Sequence, residues 1–520
     1  MTIKGAIAAG HAQTVRAAAV ILDEGGNAFD AVLAATFAAC VVEPVLSSLG
    51  GGGFLMAGPA GGGEPVLYDF FSQTPKRRNP GGELDFHPIT ADFGSVTQEF
   101  HIGMASIATP GTCKGLFQVH RDLCTMPMGR LAEPALALAR KGFTVNRLQA
   151  YLFQVVGPIY MHSDASRAIF ASSANPGETM GEGETMTNPD FADTLDALTR
   201  EGEDLFYRGE IAAAINRDCR TGGGLLGCDD FESYRVAKRR PLVFDYRGAR
   251  LYTNPAPSTG GLLIAFALEL LKDLDLRASR FGSADHLETL VAVMDLTNRA
   301  RVESGLREGV SEGAVETLLN ADFLADYKAR VLGRPRAERG TTHISIIDAA
   351  GNAASLTLSN GEGAGYIAPG TGIMLNNMLG EEDINPAGFH QGTADTRLSS
   401  MMAPTLAFEG ERALMALGSG GSNRIRTAIL QVLVNLLDFS MSVEDAVAAP
   451  RLHFEGGMLN YETGFADGDI AHLVRERPDH KHWDERNLFF GGVHVARYDR
   501  TGPGFTGAGD LRRGGATRII

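Results

Sequence analysis

Apolar and polar positions along the chain fall into stretches of different period. From Ala12 to Leu22, small and apolar residues run in a helix-compatible row, and Gly25-Gly26 supplies the stop expected just past a helix C-terminus. Ala28 to Val42 is apolar nearly all round, which predicts a buried helix, ended by Pro44. The glycine run Ser47 to Phe54 lacks the Gly-Lys-Ser/Thr ending of a phosphate loop and reads as a packing turn. From Ala132 to Arg330 a spacing of three to four residues dominates, as in Ala132 to Arg140 and His286 to Glu303. This stretch is expected to be largely helical, interrupted by a loop at Thr221 to Gly227.

Beyond Lys328 the pattern changes. The run KARVLGRPRAERG, Lys328 to Gly340, is basic, poor in large apolar residues and broken by Gly333 and Pro335, as an exposed flexible connector would be. At Thr341 the period becomes two. Thr342, Ile344 and Ile346 face one way, His343, Ser345 and Ile347 the other, and a second β-rich run follows from Asn352 to Ser359. Ala349-Ala350-Gly351 fits a hairpin loop with glycine in the left-handed position. Pairing Asp348 with Asn352 and counting outward places Thr341 opposite Ser359. A helix from Arg424 to Phe439 follows the sequence GSGGSN, and a shorter one starts at a Ser442/Asp445 capping box and stops before Pro450. Strands and helices mixed in this way predict stacked sheets covered by helices.

Composition sharpens this picture only in places. A chain of 520 residues exceeds one ordinary core and predicts two domains or one layered unit with two lobes. The 64 glycines anticipate tight turns and close backbone approaches. A net charge of -15 argues against nucleic acid and against an anionic membrane surface as partners. No stretch approaches the ~20 apolar residues of a membrane span, and the N-terminus lacks the apolar core of a signal peptide. The five cysteines are widely spread, with no C-x-x-C pair for metal or redox work. A cytoplasmic location is the expectation.

An exposed connector running straight into Gly340-Thr341-Thr342-His343 has a chemical use. Cleavage before Thr341 would free an α-amine on the residue that owns the hydroxyl, and an amine of pKa ~8 is a serviceable base at neutral pH. Gly340 leaves room for that hydroxyl to attack the preceding carbonyl. The plainer reading is that Thr-Thr-His merely opens a strand, where threonine is common.

Six blocks, in order, tip the balance: GGNAFDAVLAATFAACVVEPVLSSLGGGGFLM (Gly25 to Met56), ASIATPGTCKGL (Ala105 to Leu116), TTHISIIDAAGNAASLTLS (Thr341 to Ser359), GIMLNN (Gly372 to Asn377), RLSSMMAPTL (Arg397 to Leu406) and GSGGSNRIRTAILQVLVN (Gly418 to Asn435). Together they resemble the gamma-glutamyltranspeptidase family of N-terminal-nucleophile hydrolases. The resemblance implies a four-layer αββα sandwich, self-cleavage between Gly340 and Thr341, Thr341 as nucleophile and Ser359 as its assisting hydroxyl. It makes Gly420 and Gly421 the oxyanion hole, which agrees with the physics of backbone N–H groups ahead of the helix at Arg424. It also assigns Ser399 and Ser400 to the substrate carboxylate. His343, though near in sequence, is not expected to touch substrate.

Departures from the family cluster on substrate recognition. In the block Asp69-Phe70-Phe71-Ser72-Gln73-Thr74-Pro75, Phe71 stands where the family carries a carboxylate-clamping Arg, and an aromatic ring offers no bidentate fork. Lys76, Arg77 and Arg78 either reach in instead or form a solvated basic turn. After Ser359 the chain is about two residues short of the family pattern, so the substrate-reading Asn maps to Asn360, while Met378 and Glu381 stand where the family has Gln and Asp for the α-amino group. The expectation is a cofactor-free, metal-free amide hydrolase that forms an acyl-enzyme, with altered acyl recognition. Its large fragment, Met1 to Gly340, and small fragment, Thr341 to Ile520, would stay associated, and a dimer of such pairs is compatible with the family. The rivals are a true γ-glutamyl hydrolase or transferase acting on glutathione-like compounds, and an unprocessed, non-catalytic binding protein.

Overall fold

A computed structural model describes residues 3–78, 83–92, 97–304, 318, 341–385, 388–500, 502 and 504–520. The connector and Gly340 lie outside the described residues, as does the end of the middle segment beyond 304 apart from Leu318.

Two antiparallel sheets form the centre. In the first, seven strands run in the order Ala516–Ile519, Gly5–Ala9, Thr342–Asp348, Ala353–Ser359, Gly52–Gly58, Val66–Phe70 and Ala237–Arg239. In the second, six strands run in the order Gly504–Ala508, Gly492–Asp499, Arg412–Gly420, Thr405–Glu409, Ala249–Thr253 and Leu242–Tyr246. Alternation along the strands sends residues to two cores. Ile7, Ile344, Ile346, Leu356 and Leu358 pack against the helices Ala12–Asp23 and Ala28–Val42, whereas Ala6, Phe54, Met56 and Ile347 face the second sheet. The far side of the second sheet is covered by the helices Gly260–Leu271 and Arg424–Leu437. Helix, sheet, sheet, helix is the expected four-layer sandwich.

Local signals account for most elements. The helix Ala28–Val42 is buried at every position and opens on an Asn27/Asp30 capping box. The hairpin at Thr341 has the expected register: Thr342 pairs with Leu358 and Ile347 with Ala353, Gly351 sits at φ 97°, and the Asp348 N–H donates to the Asn352 carbonyl at 3.0 Å. The described part of the middle segment is largely helical, as expected. It is not helical throughout, since Ala237–Arg239, Leu242–Tyr246 and Ala249–Thr253 add one strand to the first sheet and two to the second. Ala237–Arg239 and Leu242–Tyr246 are the edge strands of their sheets, where alternation is blurred by long polar side chains.

Candidate active site

Extending the hairpin register by one pair sets Thr341 opposite Ser359, and Ser359 in turn pairs with Gly52. Period-two alternation then fixes orientations. Thr342 points to the helix layer, donating its hydroxyl to the Glu43 carboxylate at 2.6 Å, so Thr341 points with His343 toward the second sheet. Thr357 reaches the His343 ring at 2.8 Å, so Ser359 shares that face with Thr341. Both hydroxyl residues are buried, at 4% and 8% exposure, and Ser359 Oγ accepts the Gly361 N–H at 3.1 Å.

Across the gap, the strand Arg412–Gly420 ends against the start of the hairpin. A Cβ on Gly420 would overlap the Thr341 carbonyl oxygen, so only glycine lets the two backbones meet. Gly421 holds φ 129°, which also demands glycine, and the turn leads into the helix Arg424–Leu437. Ser419 Oγ donates to the Gly420 carbonyl at 2.8 Å and accepts the Gly492 N–H at 3.0 Å, tying down the turn. The glycine run packs closely as read from the sequence, but Gly52 and Gly53 open a strand instead of a turn: a Cβ on Gly51, Gly52 or Gly53 would stand 2.5 Å from the Ser359 carbonyl oxygen, 2.6 Å from the Ser72 nitrogen or 2.5 Å from the Thr357 carbonyl oxygen.

His343 is sealed between the sheets. Its ring bonds Thr357 and Ser345, each at 2.8 Å, and burial holds it well below the usual histidine range. It braces the first sheet through these two bonds.

The remaining candidates sort into two groups. Asn360 and Glu381 are gathered near Ser359: Glu381 and Asn377 crowd the space beside Gly361, which only its left-handed φ of 62° and lack of a side chain permit. The Asn360 amide is fully buried with neither donor nor acceptor satisfied, an exceptional state for a buried polar group. Ser399 and Ser400 lie on a segment whose Leu398 N–H donates to the Ser72 carbonyl at 3.1 Å, and Ser72 packs on Gly52. Ser400 is anchored by Thr259, whose N–H donates to its carbonyl at 2.9 Å.

Phe71 sits differently. Its ring is 2% exposed and stacks on Phe54 with centroids 5.4 Å apart, in the core between the sheets. The neighbouring cations are engaged elsewhere. Lys76 Nζ donates to the Asp229 carbonyl at 2.9 Å, Arg77 and Arg78 are exposed, and Arg397 donates to the Phe71 carbonyl and the Tyr234 hydroxyl while facing Asp69 at 3.4 Å. The solvated-turn reading thus describes Arg77 and Arg78. Met378 is buried in the core. Sequence reasoning passed over Glu43, Arg397 and Arg513; an acid closing a wholly apolar helix was a usable signal for the first. Among the described residues, no group of three metal-ligating side chains gathers, and no helix is long and apolar enough to cross a membrane.

A buried threonine at a strand end, facing a glycine turn across two sheets sandwiched by helices, is the architecture of the N-terminal-nucleophile hydrolases. The model of the family described as Gamma-glutamyltranspeptidase matches residues 14–520, and the chain belongs to that family. It is a hydrolase or transferase. The chain is similar to the glutathione hydrolase proenzyme of Escherichia coli (strain K12), at 30% identity over 90% of this chain and 84% of the relative. It is also similar to the acylase ACY 1 proenzyme of Pseudomonas sp. (strain V22), at 29% identity over 91% and 86%. In fold it matches a cephalosporin acylase from Bacillus halodurans, with a TM-score of 0.85, 22% identity and coverage of 99% and 96%.

Proposed function

We propose that the chain cuts itself between Gly340 and Thr341, that Thr341 is then nucleophile and base at once, and that its substrates are amides other than ordinary γ-glutamyl compounds. The observation that carries the reading is the meeting of Thr341, Ser359 and the Gly420–Gly421 turn at one end of the two sheets.

The chemistry follows from that arrangement. The Thr341 amine takes the hydroxyl proton as Oγ attacks the amide carbonyl, backbone N–H groups at Gly420 and Gly421 hold the oxyanion, and the amine returns the proton to the leaving nitrogen. Water then attacks the acyl ester, releasing the acid and restoring Oγ–H. Each oxyanion donor is worth roughly 3 kcal/mol. Ser359 assists as hydrogen-bond partner of the nucleophile. Asn360 and Glu381 read the acyl group; the unsatisfied Asn360 amide supports this, since a ligand would supply its missing partners. Ser399 and Ser400 contribute polar contacts at the far side.

Altered specificity is supported by Phe71, whose buried ring leaves no guanidinium at that position, and by the engagement of Lys76 and Arg397 elsewhere. The E. coli relative is a glutathione hydrolase by name and the Pseudomonas relative an acylase, so both readings have precedent among similar chains. The cut fragments would remain one body because both sheets draw strands from either side of Gly340.

Intact mass spectrometry of the purified protein tests the reading. Two fragments meeting at Gly340/Thr341, and one uncut chain for Thr341→Ala, are expected; an uncut wild-type chain would favour the binding-protein alternative. A panel of γ-glutamyl p-nitroanilide, glutathione and simple acyl anilides tests the substrate class. Efficient turnover of the γ-glutamyl anilide would sink the altered-specificity half.

A further inference from the structure

Arg513 has no part in the reaction as written above, yet it stands beside it. Its Nη1 donates to the Thr341 carbonyl oxygen at 3.5 Å and its Nη2 to the Leu488 carbonyl at 3.3 Å. Its side-chain stem lies along the glycine turn: a Cβ on Gly492 would stand 2.6 Å from Arg513 Cδ, one on Gly420 3.2 Å from the same atom, and one on Gly421 3.6 Å from Nη2. The residue is 7% exposed, so this is a nearly buried cation packed against the turn that faces Thr341.

We propose that Arg513 is a positioning residue for Thr341, fixing its carbonyl against the Gly420–Gly421 turn and keeping the freed α-amine neutral so that it can act as base. The proposal rests on the reading of Thr341 given above. Two physical arguments carry it. Once cut, Thr341 has no preceding peptide to hold it, so its own carbonyl is the nearest backbone anchor, and a guanidinium there restrains the residue from fraying off the strand. The α-nitrogen lies about 2.5 Å from the carbonyl carbon of its own residue, which places the Arg513 charge roughly 5–6 Å from the amine. A like charge at that range disfavours protonation, by on the order of one pH unit.

Other charged and titratable groups surround the centre. Glu43, at the end of the helix Ala28–Val42, binds the Thr342 and Thr14 hydroxyls, and burial pushes its carboxyl up, toward the neutral form. Asp383 accepts from Ser422 at 3.4 Å, Glu381 flanks Gly361, and the Arg424 guanidinium lies over the Phe489 ring at 4.2 Å. His343, on the same strand as Thr341, and His494 across from it are both held toward the neutral form by burial. Arg513 is a cation bonded to Thr341 itself.

The test uses the whole protein with Arg513→Met and Arg513→Lys. Competitive acetylation by acetic anhydride, read by mass spectrometry on the Thr341 N-terminal peptide across pH, reports the amine directly and needs no substrate. The wild type is expected to half-label below the ordinary α-amine range, Arg513→Met about one pH unit higher, and Arg513→Lys close to wild type. Equal half-labelling pH in wild type and Arg513→Met would overturn the proposal. Should both variants stay uncut, thermal unfolding decides: wild-type melting supports positioning, and loss of the fold makes Arg513 structural and ends the proposal. An uncut wild type instead removes the underlying reading of Thr341.

Discussion

At the strand ends around Thr341, packing dictates residue type: Gly420 presses on the Thr341 carbonyl, Gly421 needs its positive φ, and Gly51, Gly52 and Gly53 each pass within contact of a facing backbone. At Phe71, Met378 and Glu381, in turns beside the sheets, the fold carries side chains unlike those the family resemblance implies, two of them packed into the core. The first region is constrained by backbone geometry that serves any acyl transfer. The second is held by core packing at Phe71 and Met378 and by the crowding of Glu381 against the left-handed Gly361. In the proposed function, reaction and recognition are thus assigned to separate parts of one fold.

The sharpest way to break this comparison is Thr341→Ala, expected to leave the chain uncut and without measurable anilide turnover; activity in that variant would place the chemistry elsewhere. Next comes Gly420→Ala. Its new Cβ meets the Thr341 carbonyl, and the shift that relieves the clash pulls the backbone N–H donors of the turn out of line, so turnover should fall by about 10²–10³ in kcat. Wild-type kinetics there would remove the glycine turn from the site. Ser359→Ala should cost about ten- to a hundredfold in kcat with little change in melting temperature, the value of a hydrogen bond to a charged partner.

Phe71→Arg sharpens the other half. If Phe71 simply replaced a clamp, the variant would gain γ-glutamyl activity. With the ring stacked on Phe54 between the sheets, the expected result is an unpaired cation in the core, a loss of about 3 kcal/mol or more in urea unfolding, and no new activity.

The smallest effect is on stability against pH. Burial holds His11, His286, His453 and His494 down to about 4, and it also holds His343 well below the usual histidine range. These folded-state values lie below the unfolded value near 6.5, so the unfolded chain binds protons first as pH falls. Their stabilisation is present above about pH 6.5 and is lost as pH drops through 4. Melting temperature measured from pH 8 to 4 should therefore fall, most steeply below 6.5; a flat profile would contradict these environments. Glu43, pushed up by burial, acts in the opposite sense, losing stability as pH rises.

Much of this molecule was legible in one dimension. The helix Ala28–Val42, the hairpin register from Thr342 to Ser359, the glycine turn before Arg424 and the opposition of Thr341 and Ser359 all come from local periodicity and turn chemistry, which are properties of neighbouring residues. The strands between Ala237 and Thr253 were hidden because sheet edges tolerate polar residues that blur alternation. Where the side chains of Phe71, Lys76, Glu43 and Arg513 end up was decided only by tertiary structure. Each meets a partner far along the chain: Phe54 across a strand pair, Asp229 on a separate helix, Thr342 beyond the connector, and the Thr341 carbonyl at the opposite end of the small fragment. Periodicity fixes which face a residue takes, whereas long-range packing decides what it meets there, and on that meeting rest two proposals, the neutral amine at Thr341 and the altered acyl recognition at Phe71.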